Sequence, residues 1–330
     1  MPDSERFTVR AYRDGDEKAI LDLFARSFPH APRTHEHFDW KYRRNPFGNE
    51  RISLAFDGDH LVGHYAGYPV RLYDHGETYL AHQIGDTMTD PAVRHVGRGP
   101  TSILGRTARH FYDTFCEGQA GFNFGFNVAN IQRFSIRFLG SDRVEGVTHR
   151  VRERPFAPVT RAERLIRGYR LELVRDAGDE LDELFARVAP AYGFLIQRDA
   201  SYIRWRYLEA PDEPKYFIIA IRKWGRLCGW AAFRIRERRL LWGDALFDPR
   251  HLDAMKVLLR HVVPQYPVDV VEAWFPPRPQ WLDGALTSLG FEIRPEPQDL
   301  GYMCVPFVRR DAVTHIRQSL YYTMGDSDLF

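Results

Sequence analysis

Thr89-Asp90-Pro91-Ala92-Val93-Arg94-His95-Val96-Gly97-Arg98-Gly99-Pro100 is the stretch that decides how this chain reads. It lies between a segment with strand character, Thr78 to Thr89, and one with helical character that opens at Pro100. Glycine lets a backbone turn tightly and approach a ligand closely. The exposed N–H groups of such a turn, with a helix N-terminus behind them, form an anion cradle, and phosphates are its usual guests. Two familiar phosphate loops are excluded. The dinucleotide fingerprint needs glycine at its sixth place, where Ser102 stands, and the nucleoside-triphosphate loop needs Gly-Lys-Ser/Thr, which is absent.

Working outward, the chain repeats itself. Trp40-Lys41-Tyr42 recurs as Trp205-Arg206-Tyr207, 165 residues later in a chain of 330. Leu23-Phe24-Ala25-Arg26 recurs as Leu184-Phe185-Ala186-Arg187, Leu61-Val62-Gly63 as Leu227-Cys228-Gly229, and Gly85-Asp86 with Asp90-Pro91 as Gly243-Asp244 with Asp248-Pro249. Four echoes in one order imply duplication. After Asp248-Pro249 the second copy reads Arg250-His251-Leu252-Asp253-Ala254-Met255, without glycine. One copy is built to hold a ligand and the other is not.

The first copy reads as a strand at Phe7, two helices, three meandering strands, the glycine loop, a helix, a strand (Gly121 to Phe126) and a further helix. Antiparallel strands followed by a strand–helix–strand unit predict an α/β fold: two tandem domains, each a mixed, mostly antiparallel sheet flanked by helices. The expected boundaries are 1–154 for the first domain, 155–168 for a linker rich in proline and charge, 169–308 for a degenerate second domain, and 309–330 for a tail. Phe122, Phe124 and Phe126 alternate on one strand face and read as core, and His35-x-His37 as surface.

A net charge of +2 offers no electrostatic case for nucleic acid or an anionic membrane as partner. Three scattered cysteines (Cys116, Cys228, Cys304) make neither a disulfide framework nor a zinc site, so no metal is expected. The polar N-terminus lacks a signal peptide's apolar core, and no apolar run is long enough to span a membrane, which together point to a cytoplasmic protein. The sequence leaves the oligomeric state open.

Arg94-His95-Val96-Gly97-Arg98-Gly99 resembles the Q/R-x-x-G-x-G/A loop of the GCN5-related N-acetyltransferase (GNAT) superfamily. Thr89-Asp90-Pro91 is similar to that family's strand end, Asn130 with Leu139-Gly140 to its downstream N…LG segment, and Leu289-Gly290-Phe291 to its LGF ending. The resemblance implies an acyl-CoA co-substrate, acetyl-CoA first. Arg94, His95, Val96, Gly97, Arg98, Gly99 and Thr101 would hold the pyrophosphate, with Asn130 downstream, and Met88 and Thr89 would bond the pantetheine arm through their backbone. The acyl group would sit where the Thr78–Thr89 and Gly121–Phe126 strands splay apart. Two positions depart from the family. Pro100 removes one N–H from the loop, for which the Thr101 hydroxyl is an expected substitute. Ile136 stands where the family often has the tyrosine that protonates the leaving thiolate.

The expected reaction is N-acyl transfer to a small-molecule amine that the sequence does not identify, by direct attack on the thioester. Asp86 is a candidate base, although Asp244 repeats it in the copy without a loop. His82 precedes it by four residues, on the same strand face if alternation is unbroken. Tyr322, in the tail, is the third catalytic candidate, expected to reach back into the first domain's cleft. Two alternatives stand beside this reading. One is a non-catalytic acyl-CoA-binding sensor. The other is an aminoacyl transferase of the peptidoglycan type, which pairs two such domains but uses aminoacyl-tRNA.

Overall fold

A computed structural model of the chain describes residues 6–31, 33–153, 156–308 and 312–330. In chain order the first elements are β1 (Phe7–Ala11), α1 (Glu17–Ser27), α2 (His35–Phe38), β2 (Ile52–Asp57), β3 (His60–Asp74), β4 (Glu77–Thr89), α3 (Ile103–Phe115), β5 (Phe122–Asn127), α4 (Ala129–Phe138) and β6 (Asp142–Gly146). Then come β7 (His149–Arg152), α5 (Arg161–Ile166), β8 (Tyr169–Leu173), α6 (Asp179–Tyr192), β9 (Phe194–Ile196), α7 (Ala200–Ile203), β10 (Phe217–Lys223), β11 (Arg226–Arg236) and β12 (Arg239–Phe247). The last are α8 (Asp253–Val262), β13 (Val270–Trp274), α9 (Gln280–Ser288), β14 (Glu292–Arg294), β15 (Gly301–Pro306) and α10 (Ala312–Ser319). Two compact units result. One takes the chain up to Arg71 with Tyr79–Gly146 and Gln298–Arg317; the other takes Leu72–Thr78, Val147–Pro297 and Gln318–Phe330.

The first unit is a sheet in the order β1-β2-β3-β4-β5-β15-β6. Helix α1 covers one face, burying Ile20, Leu23 and Phe24 against Ile52 and Leu54 of β2. Helix α3 covers the other, burying Ala108, Phe111 and Tyr112 against Tyr65 of β3. Both helices follow from apolar residues at three- and four-residue spacing. Thr34 caps α2, its hydroxyl accepting the His37 N–H at 3.3 Å. Helix α2 then widens into a π-helical turn, Asp39–Arg43, and the second copy repeats that turn at Arg204–Leu208.

The second unit's sheet runs β14-β7-β13-β12-β11-β10-β8. The sequence echoes meet in matching contacts. Arg26 Nε donates to Asp90 Oδ2 at 2.9 Å and its Nη2 to the Leu61 carbonyl. Arg187 makes the same pair of bonds to Asp248 and the Leu227 carbonyl. The repeated residues therefore hold the end of a strand to the first helix of each copy.

The strand assignment departs from expectation in one respect. The terminal strand of the second copy, β15, lies in the first sheet, antiparallel to β5 and β6. Strand β7, inside the expected bounds of the first domain, pairs with β13 and β14 in the second. The expected boundaries therefore cross. Alternating hydrophobicity says that a strand is half-buried but not which of two like sheets takes it. The supposed linker contributes helix α5, capped by Thr160, while Arg154, Pro155 and the tail's Arg309 and Arg310 lie outside the described residues.

All three cysteines are free and buried, as read. No helix among the described residues is long and apolar enough to cross a membrane.

Candidate functional site

In the first unit β4 and β5 run parallel and pair at Ala81–Phe122, His82–Asn123 and Gln83–Phe124. Beyond that point both strands continue without pairing with each other, so a wedge opens after Gln83. A small cavity of roughly 30 Å³ fills its α3 side, lined among others by Ile84, Asn123, Gly125 and the tyrosines Tyr65 and Tyr112. Parallel strands that stop pairing leave backbone N–H and C=O groups without partners, and these can bond an extended ligand. Met88 and Thr89 stand on the β4 arm of this wedge.

The glycine loop follows β4 directly. Gly97 and Gly99 adopt left-handed φ angles of 72° and 52°. A Cβ on Gly97 would lie 2.5 Å from the Thr101 carbonyl oxygen, and one on Gly99 would lie 2.7 Å from the Phe138 ring. Gly97 is thus required by the loop's own closure, and Gly99 by its left-handed φ with the Phe138 ring of α4 against it. Among the described residues the N–H groups of Gly97 and Gly99 have no protein acceptor. Arg94 is pinned back by its Nε to the Thr89 carbonyl at 3.0 Å, while His95 and Arg98 are exposed.

The substitute donor expected at Thr101 is already engaged. Its hydroxyl donates to the Arg98 carbonyl at 3.0 Å, and its N–H donates to the same oxygen. Pro100 lies in a short 3-10 turn instead of the α-helix, which starts at Ile103 under a Ser102 cap. Asn130 is exposed on the first turn of α4 and accepts from Arg133 at 2.7 Å.

His82 and Asp86 do not share a face. Asp86 has a left-handed φ of 51°, which breaks the alternation of β4. Before the break, His82 packs on Phe111 of α3, with Nδ1 3.0 Å from Asn123 Oδ1. After it, Asp86 turns to the α1 side. There Lys41 Nζ donates to its Oδ2 at 2.7 Å and the Tyr42 hydroxyl donates at 2.8 Å. His64 Nδ1 lies 2.7 Å from the Asp86 carbonyl oxygen.

The electrostatics follow from burial and charge. Desolvation alone would raise the Asp86 pKa, but the Lys41 and Arg33 charges outweigh it and hold the carboxyl well below its usual range. A carboxylate so stabilised is a poor proton acceptor, and the Lys41 ammonium on the same oxygen neutralises its charge. Burial drives both His64 and His82 down to about 4, so both imidazoles are neutral at physiological pH. Gln83, at the vertex of the wedge, is wholly buried, and neither of its amide atoms has a partner among the described residues. Lys41, Tyr42 and His64 were missed as site residues. The repeat of Trp-Lys/Arg-Tyr marked the first two.

Tyr322 lies in the second unit, where its hydroxyl accepts the Thr148 N–H at 2.8 Å. The tail fills that unit's own cleft. Arg206, the counterpart of Lys41, donates to the carbonyls of Gly325 and Ser327, and Tyr216 donates to that of Phe330 at 2.6 Å. The Phe330 ring occupies the place of a Cβ on Gly243. Tyr207 donates to Asp244 at 2.6 Å, repeating the Tyr42–Asp86 bond. In the loop position, Asp253 puts negative charge on the first turn of α8, where an anion would otherwise bind.

Residues 8–119 match the family model described as an acetyltransferase (GNAT) domain. No curated protein matches the chain in sequence. Its fold is similar to that of a conserved protein of unknown function from Enterococcus faecalis, a probable N-acyltransferase, with TM-score 0.68 and 14% identity over 92% of this chain and 73% of that one. A GCN5-related N-acetyltransferase from Anabaena variabilis gives TM-score 0.68 and 16% identity over 91% and 72%. A putative acetyltransferase from Pyrococcus horikoshii gives 0.58 and 15% over 96% and 94%. At such identities the likeness is one of fold.

Proposed function

We propose that this chain, which carries an acetyltransferase (GNAT) domain in its first half, transfers the acyl group of an acyl-CoA, acetyl-CoA first, to a small-molecule amine. The observation that carries this reading is the wedge beyond Gln83–Phe124, with the Gly97/Gly99 loop at the end of the same strand. The free N–H groups of the loop suit a pyrophosphate. The open edges of β4 and β5 suit a pantetheine arm. The α1 face beside Asp86 and Gln83 offers a polar approach for an amine.

The chain's own residues then have limited but definite tasks. Loop and strand edges hold the thioester. Asp86, bonded to Lys41 and Tyr42, fixes the wall along which the amine approaches the wedge. Solvent takes the proton that the ammonium must lose, because Asp86 is too acidic to hold it. Alignment of amine and carbonyl contributes most of the rate. The second unit supports a single site. Trp242 is buried at the position equivalent to Ile84, and Phe330 covers Gly243 beside it.

The test is release of free thiol from acetyl-CoA against a panel of amino sugars, polyamines, amino acids and peptides. Amine-dependent release, lost in Arg98→Glu through weaker acetyl-CoA binding, supports the reading. Tight acetyl-CoA binding with no release on any amine would favour a sensor.

A further inference from the structure

The family's usual tyrosine position is Ile136, which is half exposed on α4, so no acid for the leaving thiolate comes from there. The wedge cavity nevertheless has phenols on its wall. Tyr65 of β3 and Tyr112 of α3 both line it, and their hydroxyl oxygens are 3.1 Å apart. Two hydroxyls at that distance share one proton between them. If one donates to the other, the second keeps a proton for a third group. Among the described residues neither hydroxyl bonds anything else. Both phenols are buried and packed with Phe111, which fixes their rings.

We infer that Tyr112 is the general acid of the acyl transfer, with Tyr65 as its positioning partner; this rests on the function proposed above. Tyr65 donates to the Tyr112 oxygen, and the Tyr112 proton points into the wedge. The amine nitrogen bonds the thioester carbon, and the carbon–sulfur bond breaks with its electron pair on sulfur. Sulfur takes the Tyr112 proton and leaves as the thiol. The Tyr65 hydroxyl stabilises the phenolate left behind, which recovers a proton from solvent when CoA departs. The proton lost by the amine goes to solvent, so protons balance over the cycle. Burial raises both phenols above their ordinary pKa, so both are protonated at neutral pH.

The experiment compares the full chain with Tyr112→Phe and Tyr65→Phe. The probes are acetyl-CoA and an acetyl thioester of an aryl thiol, each with an amine accepted by the wild type. Tyr112→Phe should lower kcat with acetyl-CoA by about 100-fold while leaving acetyl-CoA affinity within about twofold. With the aryl thioester, whose thiolate leaves without a proton, the same variant should match the wild type. Tyr65→Phe should show the same pattern at about tenfold, and it tests the pair even if Tyr112→Phe does not fold. Equal losses on both thioesters, or wild-type kcat in both variants, would overturn the assignment. A wild type that binds no acetyl-CoA would overturn the proposed function itself, a result told apart by calorimetry before any kinetics.

Discussion

The Tyr42 hydroxyl donates to Asp86 Oδ2 at 2.8 Å, beside a Lys41 ammonium at 2.7 Å on the same oxygen. Lys41 is 6% exposed, so this is a nearly buried ion pair braced by a phenol. Removing one partner of such a pair leaves the other charge uncompensated. Asp86→Ala should therefore cost about 3–5 kcal/mol, and Tyr42→Phe about 1.5–3 kcal/mol, by urea unfolding. A folded Asp86→Ala of wild-type stability that had lost all turnover would instead make Asp86 a base.

Acid should weaken the protein through two histidines. His64 and His82 are depressed to about 4 by burial, against an ordinary value near 6.5. Between those values the unfolded chain binds protons that the native one refuses. Stability is therefore complete above about pH 6.5 and is lost as pH falls toward 4, at up to about 1.4 kcal/mol per pH unit for each histidine. Unfolding of wild type and His82→Gln at pH 7 and pH 5 should show a smaller acid loss in the variant. Equal losses would mean that His82 protonates freely in the native state.

Gln83 should show a conflict between stability and function. Its amide is buried without partners, a cost of about 1–3 kcal/mol that an apolar residue avoids. Gln83→Met is expected to unfold at higher urea and to turn over more slowly, because the amide at the wedge vertex is lost to the substrate. Lower stability in the variant would show that the amide is satisfied in the native protein.

The tail is structural to the second unit. Deleting Gly325 to Phe330 strips Arg206 of two carbonyl partners and uncovers Gly243. The truncated chain should lose more than about 3 kcal/mol in urea unfolding. Unchanged stability would mean that the tail is only laid on the surface.

Much of this was legible in the residues. The repeat announced two like folds, and the glycine spacing announced which copy turns through left-handed glycines before its helix. Thr34 and Gly97 follow local chemistry, because caps and left-handed glycines depend on near neighbours. What escaped depended on distance along the chain. No local pattern tells β7 and β15 which sheet to enter. The left-handed break at Asp86 moved it to the face opposite His82, and alternation cannot foresee a bulge at a non-glycine residue. Tyr65 and Tyr112 are 47 residues apart, and only the packing of α3 on β3 makes them a pair. The tail was read toward the first domain because that domain lacked a tyrosine, whereas its actual partners, Arg206 and Tyr216, sit in the second copy.

The most direct measurement is amide hydrogen exchange during an acetyl-CoA titration of the full chain. Saturation is expected at one equivalent, with protection in the Arg94–Leu104 segment and along the ends of β4 and β5 that splay apart, and with no change from Asp248 to Met255. Saturation at two equivalents, or protection at Asp248–Met255 with none at Gly97 and Gly99, would contradict a single site at the glycine loop.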